Sequence, residues 1–132
     1  MSQETFGLVM VVDDDPDIRE TLSLTLELHG YTVVSASDGA EALAWLRANS
    51  PRPALIFLDL MMPKMNGVEF RGEQLRDPTL RQIPVVVFTG AGARVERGAL
   101  VGLETLTKPA TLEKLIATVE RFCGSGAGGE AG

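Results

Sequence analysis

Three acidic residues, Asp13, Asp14 and Asp59, stand where apolar runs end. The runs are Leu8-Val9-Met10-Val11-Val12 and Ala54-Leu55-Ile56-Phe57-Leu58. Aliphatic stretches of this length, without polar alternation, read as strands buried on both faces. In an open parallel sheet the ligand site lies outside the carboxyl ends of the strands. Two such strands side by side therefore bring three carboxylates to one edge. Close carboxylates resist joint ionisation unless a cation stands between them. An all-oxygen site suits Mg²⁺, which takes one or two carboxylates, keeps several waters and shares its sphere with a phosphate.

Two more strand ends extend the pattern. Thr89 follows Val85-Val86-Val87-Phe88, and Lys108-Pro109 follows a fifth short strand. A metal-bound carboxylate, a hydroxyl and an ammonium converging on one edge make a phosphoryl-transfer site. Asp59 is the expected nucleophile, since a carboxylate can carry a phosphoryl group as an acyl phosphate. Asp13 and Asp14 would hold the metal, Thr89 would donate to one phosphoryl oxygen and Lys108 would neutralise another. No glycine leads into Gly-Lys-Ser or Gly-Lys-Thr, so a bound nucleotide is not the expected donor.

The elements that must position these groups alternate along the chain. Pro16 suits a first helical turn capped by Asp15, and Ile18, Leu22 and Leu26 repeat at helical spacing as far as the stop at Gly30. Tyr31-Thr32-Val33-Val34 is the second strand. Ser37 or Asp38 caps a helix carrying Ala40, Leu43 and Leu46, which ends before Pro51. After the Ala54–Leu58 strand, a loop through Pro63 and Gly67 leads to a helix from about Val68 to Arg76. Pro84–Phe88 is the fourth strand and Leu103–Leu106 the fifth. Between them, Gly90, Gly92, Gly98 and Gly102 predict one short or frayed helix. A last helix from near Thr111 is expected to bury Leu112, Leu115, Ile116, Val119 and Phe122. Five βα units predict an α/β fold, a doubly wound, five-stranded parallel sheet with helices on both faces.

A chain of 132 residues accommodates one domain, and 45% apolar residues exclude disorder. The expected division is a leader at 1–7, a folded body at 8–123 and a Gly/Ala-rich linker-like tail at 124–132. No apolar run approaches a membrane span, the opening residues carry neither the positive region nor the apolar stretch of a secretion signal, and Cys123 is alone; together these predict a cytoplasmic protein. A net charge of −6 argues against direct nucleic-acid binding by this domain. Cys123, Tyr31 and Trp45 read as packing residues, His29 as an exposed helix end, and Arg94, Glu96 and Arg97 as a solvated face.

The chain resembles the receiver domain of two-component response regulators, of the chemotaxis-regulator type. The motifs are Val11-Val12-Asp13-Asp14-Asp15-Pro16, Leu58-Asp59-Leu60-Met61-Met62-Pro63-Lys64-Met65-Asn66-Gly67, Phe88-Thr89-Gly90 and Thr107-Lys108-Pro109, in order across residues 8–123. The resemblance implies a flavodoxin-like fold and a phosphorelay role, with Asp59 accepting a phosphoryl group from a histidine kinase or phosphotransfer protein. It makes Asp14, Asp59 and the backbone carbonyl of Met61 direct Mg²⁺ ligands, with Asp13 reaching the ion through water. Thr89 and Lys108 match the pair that grips the phosphoryl group and signals its presence to a downstream partner or attached output domain. No turnover beyond the domain's own phosphorylation and dephosphorylation is implied.

Two features depart from the family. Thr105 takes the place of the usual aromatic three residues before the lysine, and the interval from Thr89 to Lys108 is a few residues short. They support an alternative, a pseudo-receiver scaffold not switched by phosphorylation. A haloacid-dehalogenase-like phosphatase would need an Asp two residues after Asp59, where Met61 stands.

Overall fold

The computed structural model describes residues 7–90, 102–108 and 110–123. Among these, the element order is β1 (Leu8–Val12), α1 (Pro16–Leu28), β2 (Thr32–Ala36), α2 (Gly39–Ala48), β3 (Leu55–Leu58), α3 (Gly67–Arg76), β4 (Val85–Thr89), β5 (Glu104–Thr107) and α4 (Leu112–Cys123). All five strands are parallel in one sheet, ordered β2-β1-β3-β4-β5. The expected helix between β4 and β5, with Arg94, Glu96 and Arg97, lies outside the described residues, as do the tail and most of the leader.

The central strands divide their apolar side chains between two cores. Val9 and Val11 of β1, Leu55 and Phe57 of β3, and Val86 and Phe88 of β4 pack with Leu22 and Leu26 of α1 and Leu115 and Val119 of α4. The alternate residues Met10, Val12, Ile56, Leu58 and Val85 pack with Leu43 and Leu46 of α2 and Phe70 of α3. A continuous apolar run is thus what a strand covered on both faces requires. Each side chain fully buried in this way contributes about 1.5–3 kcal/mol.

Local chemistry sets the element ends. Asp15 caps α1, its Oδ1 accepting from the Asp17 N–H at 2.9 Å, with Pro16 in the first turn. The helix stops at Gly30, whose φ of 95° suits a residue without Cβ. The Gly30 N–H donates to the Glu27 carbonyl and the Tyr31 N–H to Leu26, each at 3.1 Å, closing a Schellman turn. That turn uses Tyr31, so β2 begins at Thr32 and runs to Ala36 rather than over 31–34. As an edge strand it is only partly covered, which is why its apolar signal is short. Asp38, not Ser37, caps α2 through the Glu41 N–H at 2.9 Å. Tyr31 is buried in the first core and Trp45 packs against the second. In α4, Leu115 and Val119 are buried, but Leu112 is 52% exposed: it opens the helix, ahead of the turns that pack on the sheet.

Candidate phosphoryl-transfer site

The register of the sheet assembles the site. Val12 of β1 pairs with Leu58 of β3, so Asp13 and Asp59 are the next residues on adjacent strands. The Asp59 N–H donates to the Val12 carbonyl at 2.9 Å, and the Asp13 N–H to Ala36 at 3.1 Å. On the other side Thr89 pairs with Thr107, and the Lys108 N–H donates to the Thr89 carbonyl at 2.8 Å. Asp13, Asp59 and Thr89 are buried; Asp14 faces solvent.

Carboxylate oxygens of Asp13, Asp14 and Asp59 lie within 4.8 Å of one another. Lys108 reaches this cluster over the Phe88 ring, its Nζ 5.5 Å from the ring centre. It donates to Asp13 Oδ2 at 2.7 Å and stands 3.6 Å from Asp59 Oδ1. One ammonium against three carboxylates leaves the pocket net negative. Burial, and then the neighbouring Asp13, hold the Asp59 carboxyl above its ordinary range, and Lys108 only partly opposes them. A hard divalent cation would remove that penalty, and the all-oxygen donor set fits one.

The loop after Asp59 is held tightly. The Leu60 N–H donates to Asp59 Oδ1 at 2.9 Å, the Gly67 N–H to the Leu60 carbonyl at 3.1 Å, and the Gly39 N–H to the Met65 carbonyl at 2.9 Å. A Cβ at Gly67 would stand 2.6 Å from the Asp59 carbonyl oxygen, so this position tolerates only glycine without a shift. Asn66 and Glu69 then form a capping box that starts α3. Met61 follows on the same loop with its side chain in solvent, 76% exposed.

Every residue expected at the site is thus at this edge of the sheet. One contact has no signal in the sequence: Arg19, in the second turn of α1, donates to the Asp13 carbonyl at 2.7 Å. Its only hint is an arginine one helical turn beyond Asp15, which by spacing alone is indistinguishable from a solvated one.

The model of the response regulator receiver domain family matches residues 9–120, and the chain belongs to that family. Response regulator MprA of Mycobacterium ulcerans is 42% identical over 114 residues, covering 83% of this chain and 47% of that protein. The chain therefore spans about half the length of the curated relatives it matches. Among solved structures, the CheY-like receiver domain protein of Methanospirillum hungatei JF-1 has a TM-score of 0.78 at 30% identity, covering 89% of this chain and 94% of that one. Response regulator TrrA of Thermotoga maritima, solved in complex with Mg²⁺ and BeF, has a TM-score of 0.76 at 27% identity, covering 88% and 98%. The class is that of receiver domains, consistent with two-component signalling. Among the described residues, no helix is long and apolar enough to cross a membrane.

Proposed function

We propose that this receiver accepts a phosphoryl group on Asp59 from a histidine kinase or phosphotransfer protein and thereby changes its affinity for a downstream partner or an attached output domain. The observation that carries the reading is the cluster of Asp13, Asp14 and Asp59 closed on one side by Lys108. Asp14, Asp59 and the Met61 carbonyl would hold Mg²⁺ directly and Asp13 would hold it through water. When bound, the ion supplies positive charge to the phosphoryl oxygens. TrrA, a relative by structure, was solved with Mg²⁺ and BeF, which supports the same chemistry here.

Asp59 performs the covalent step. One of its carboxylate oxygens attacks phosphorus, the P–N bond of a phosphohistidine breaks, and the histidine leaves with the bonding pair. Lys108, already shared between two carboxylates, turns to a phosphoryl oxygen, and the Thr89 hydroxyl donates to another. Thr89 and Lys108 are joined by a backbone hydrogen bond, so a shift in one strand end is felt by the other. The domain catalyses only its own phosphorylation and dephosphorylation, acts in the cytoplasm and contacts neither membrane nor nucleic acid itself. The complete pocket speaks against the pseudo-receiver alternative.

Hydrogen exchange with and without Mg²⁺ and beryllofluoride tests the switch. Exchange should slow most across residues 90–106, which Thr89 and Lys108 bracket, and Asp59→Asn should remove the effect. A response confined to residues 59–67 favours the pseudo-receiver instead.

A further inference from the structure

Asp13 has every polar group engaged. Its N–H donates to Ala36, its carboxylate accepts from the Asp15 N–H at 2.9 Å and from Lys108 at 2.7 Å, and its carbonyl accepts from Arg19 at 2.7 Å. The first three partners come from the strand, the turn and the pocket itself. The fourth is a long cationic side chain reaching back from α1. A charge-assisted bond of that length is among the stronger ones a backbone carbonyl can accept.

The Asp13 carbonyl shares a rigid peptide plane with the Asp14 N–H, so fixing one orients the other. Asp14 needs such help. Its carboxylate is exposed, and among the described residues no hydrogen bond or ion pair holds it. Its placement rests on the backbone. Arg19 is itself half-buried, and its charge adds in smaller part to the Ser37 hydrogen bonds that hold the Glu41 carboxyl below its ordinary range. The Ser37 N–H and hydroxyl fix Glu41 in turn, at 2.7 and 2.6 Å.

We infer that Arg19 is a positioning residue for cation binding: through the Asp13 carbonyl its guanidinium sets the Asp13–Asp14 peptide plane, and with it the Asp14 carboxylate. Arg19 touches neither the cation nor the phosphoryl group. The inference rests on the reading of the acidic cluster as a divalent-cation site.

The sign of the effect separates this role from a plain electrostatic one. A guanidinium near the pocket repels a divalent cation, so if charge were its whole contribution, its removal would tighten binding. Positioning requires the opposite. The test is titration of the full chain with Mn²⁺ alone, free Mn²⁺ read by electron paramagnetic resonance, for wild type, Arg19→Met, Arg19→Lys and Asp59→Asn. Thermal melts in EDTA run alongside to score folding.

Wild type should bind one Mn²⁺ and Asp59→Asn should lose it. Arg19→Met should weaken binding roughly tenfold, as loss of a partner behind a metal ligand does. Arg19→Lys, which keeps the charge and a donor, should recover most of it. Affinity in Arg19→Met equal to or tighter than wild type overturns the inference while leaving the cation site intact. If wild type binds no Mn²⁺, the cation site itself falls, and the inference with it. Should Arg19→Met not fold, Arg19→Gln gives the same comparison, weaker binding in support and equal or tighter binding against.

Discussion

Replacing Asp59 by Asn should stabilise the cation-free protein, although it removes the group on which function depends. Asn keeps the shape, and its Oδ1 can accept the Leu60 N–H that Asp59 accepts at 2.9 Å. The negative charge is lost, and the second oxygen becomes an amide NH2, a donor in place of an acceptor. At an effective dielectric of about 20, repulsion from a carboxylate oxygen within 4.8 Å is about 3.5 kcal/mol or more, and attraction to Lys108 at 3.6 Å is about 4.6 kcal/mol. These nearly cancel, and Asp14 adds further repulsion. The cost of burying the ionised carboxylate, several kcal/mol before compensation, then decides the sign. The expected gain is about 1–3 kcal/mol in EDTA, roughly 4–10 °C in Tm for a domain of this size.

The pH dependence follows from the raised pKa of Asp59. Between the unfolded value of about 3.9 and the higher folded value, the folded state binds more protons than the unfolded one. Stability of the wild type therefore falls as pH rises through that window, a dependence Asp59→Asn lacks. Thermal unfolding followed by far-ultraviolet circular dichroism, in EDTA across acid to neutral pH, should show the gap widening toward neutrality. Adding Mg²⁺ should then stabilise wild type and leave the variant nearly unchanged. A variant less stable than wild type in EDTA at neutral pH, or a gap independent of pH, would mean that the buried Asp59 charge does not destabilise the cation-free fold.

Other outcomes follow from the same contacts. Gly67→Ala places a Cβ 2.6 Å from the Asp59 carbonyl oxygen, so a loss of about 1–3 kcal/mol in denaturant unfolding is expected, with slower phosphoryl acceptance. Cys123 is half-buried with its thiol pushed up to about 11, so labelling by a thiol reagent should be far slower than in unfolded protein and should accelerate on adding denaturant. The resemblance to receivers implies that the residues two beyond Asp59 and two beyond Thr89 flank the attacking water; in this sequence they are Met61 and Ala91, neither of which carries a group that orients one. Met61→Asn with Ala91→Glu should thus speed decay of the phosphorylated form several-fold, about 1 kcal/mol or more of barrier, in a time course of intact mass.

The parts legible in the sequence are those where one physical demand dominates. Leu8–Val12, Leu55–Leu58 and Val85–Phe88 are apolar throughout because helices cover both faces, and the residues ending them are polar because the sheet edge is the site. The cap at Asp15 and the stop at Gly30 are written in single residues whose geometry has few substitutes. The second strand is less legible, since Thr32–Ala36 lies at the edge and its start depends on how Tyr31 closes the preceding turn. Leu112 shows the limit of periodicity: spacing puts it on the buried face, but its place at the helix start leaves it exposed. Within the site, residue types and order are legible, but the partner of Lys108 is not. Its shorter contact is with Asp13 rather than Asp59, and Arg19 behind Asp13 is visible only in three dimensions.

On this reading Asp59 accepts a phosphoryl group with the help of a divalent cation. Intact-mass measurement after incubation with acetyl phosphate and Mg²⁺ tests it most directly. Wild type should gain the mass of a single phosphoryl group, and neither Asp59→Asn nor wild type in EDTA should gain it. A phosphoryl adduct on Asp59→Asn at the wild-type level, or an adduct that forms equally well in EDTA, would contradict the account.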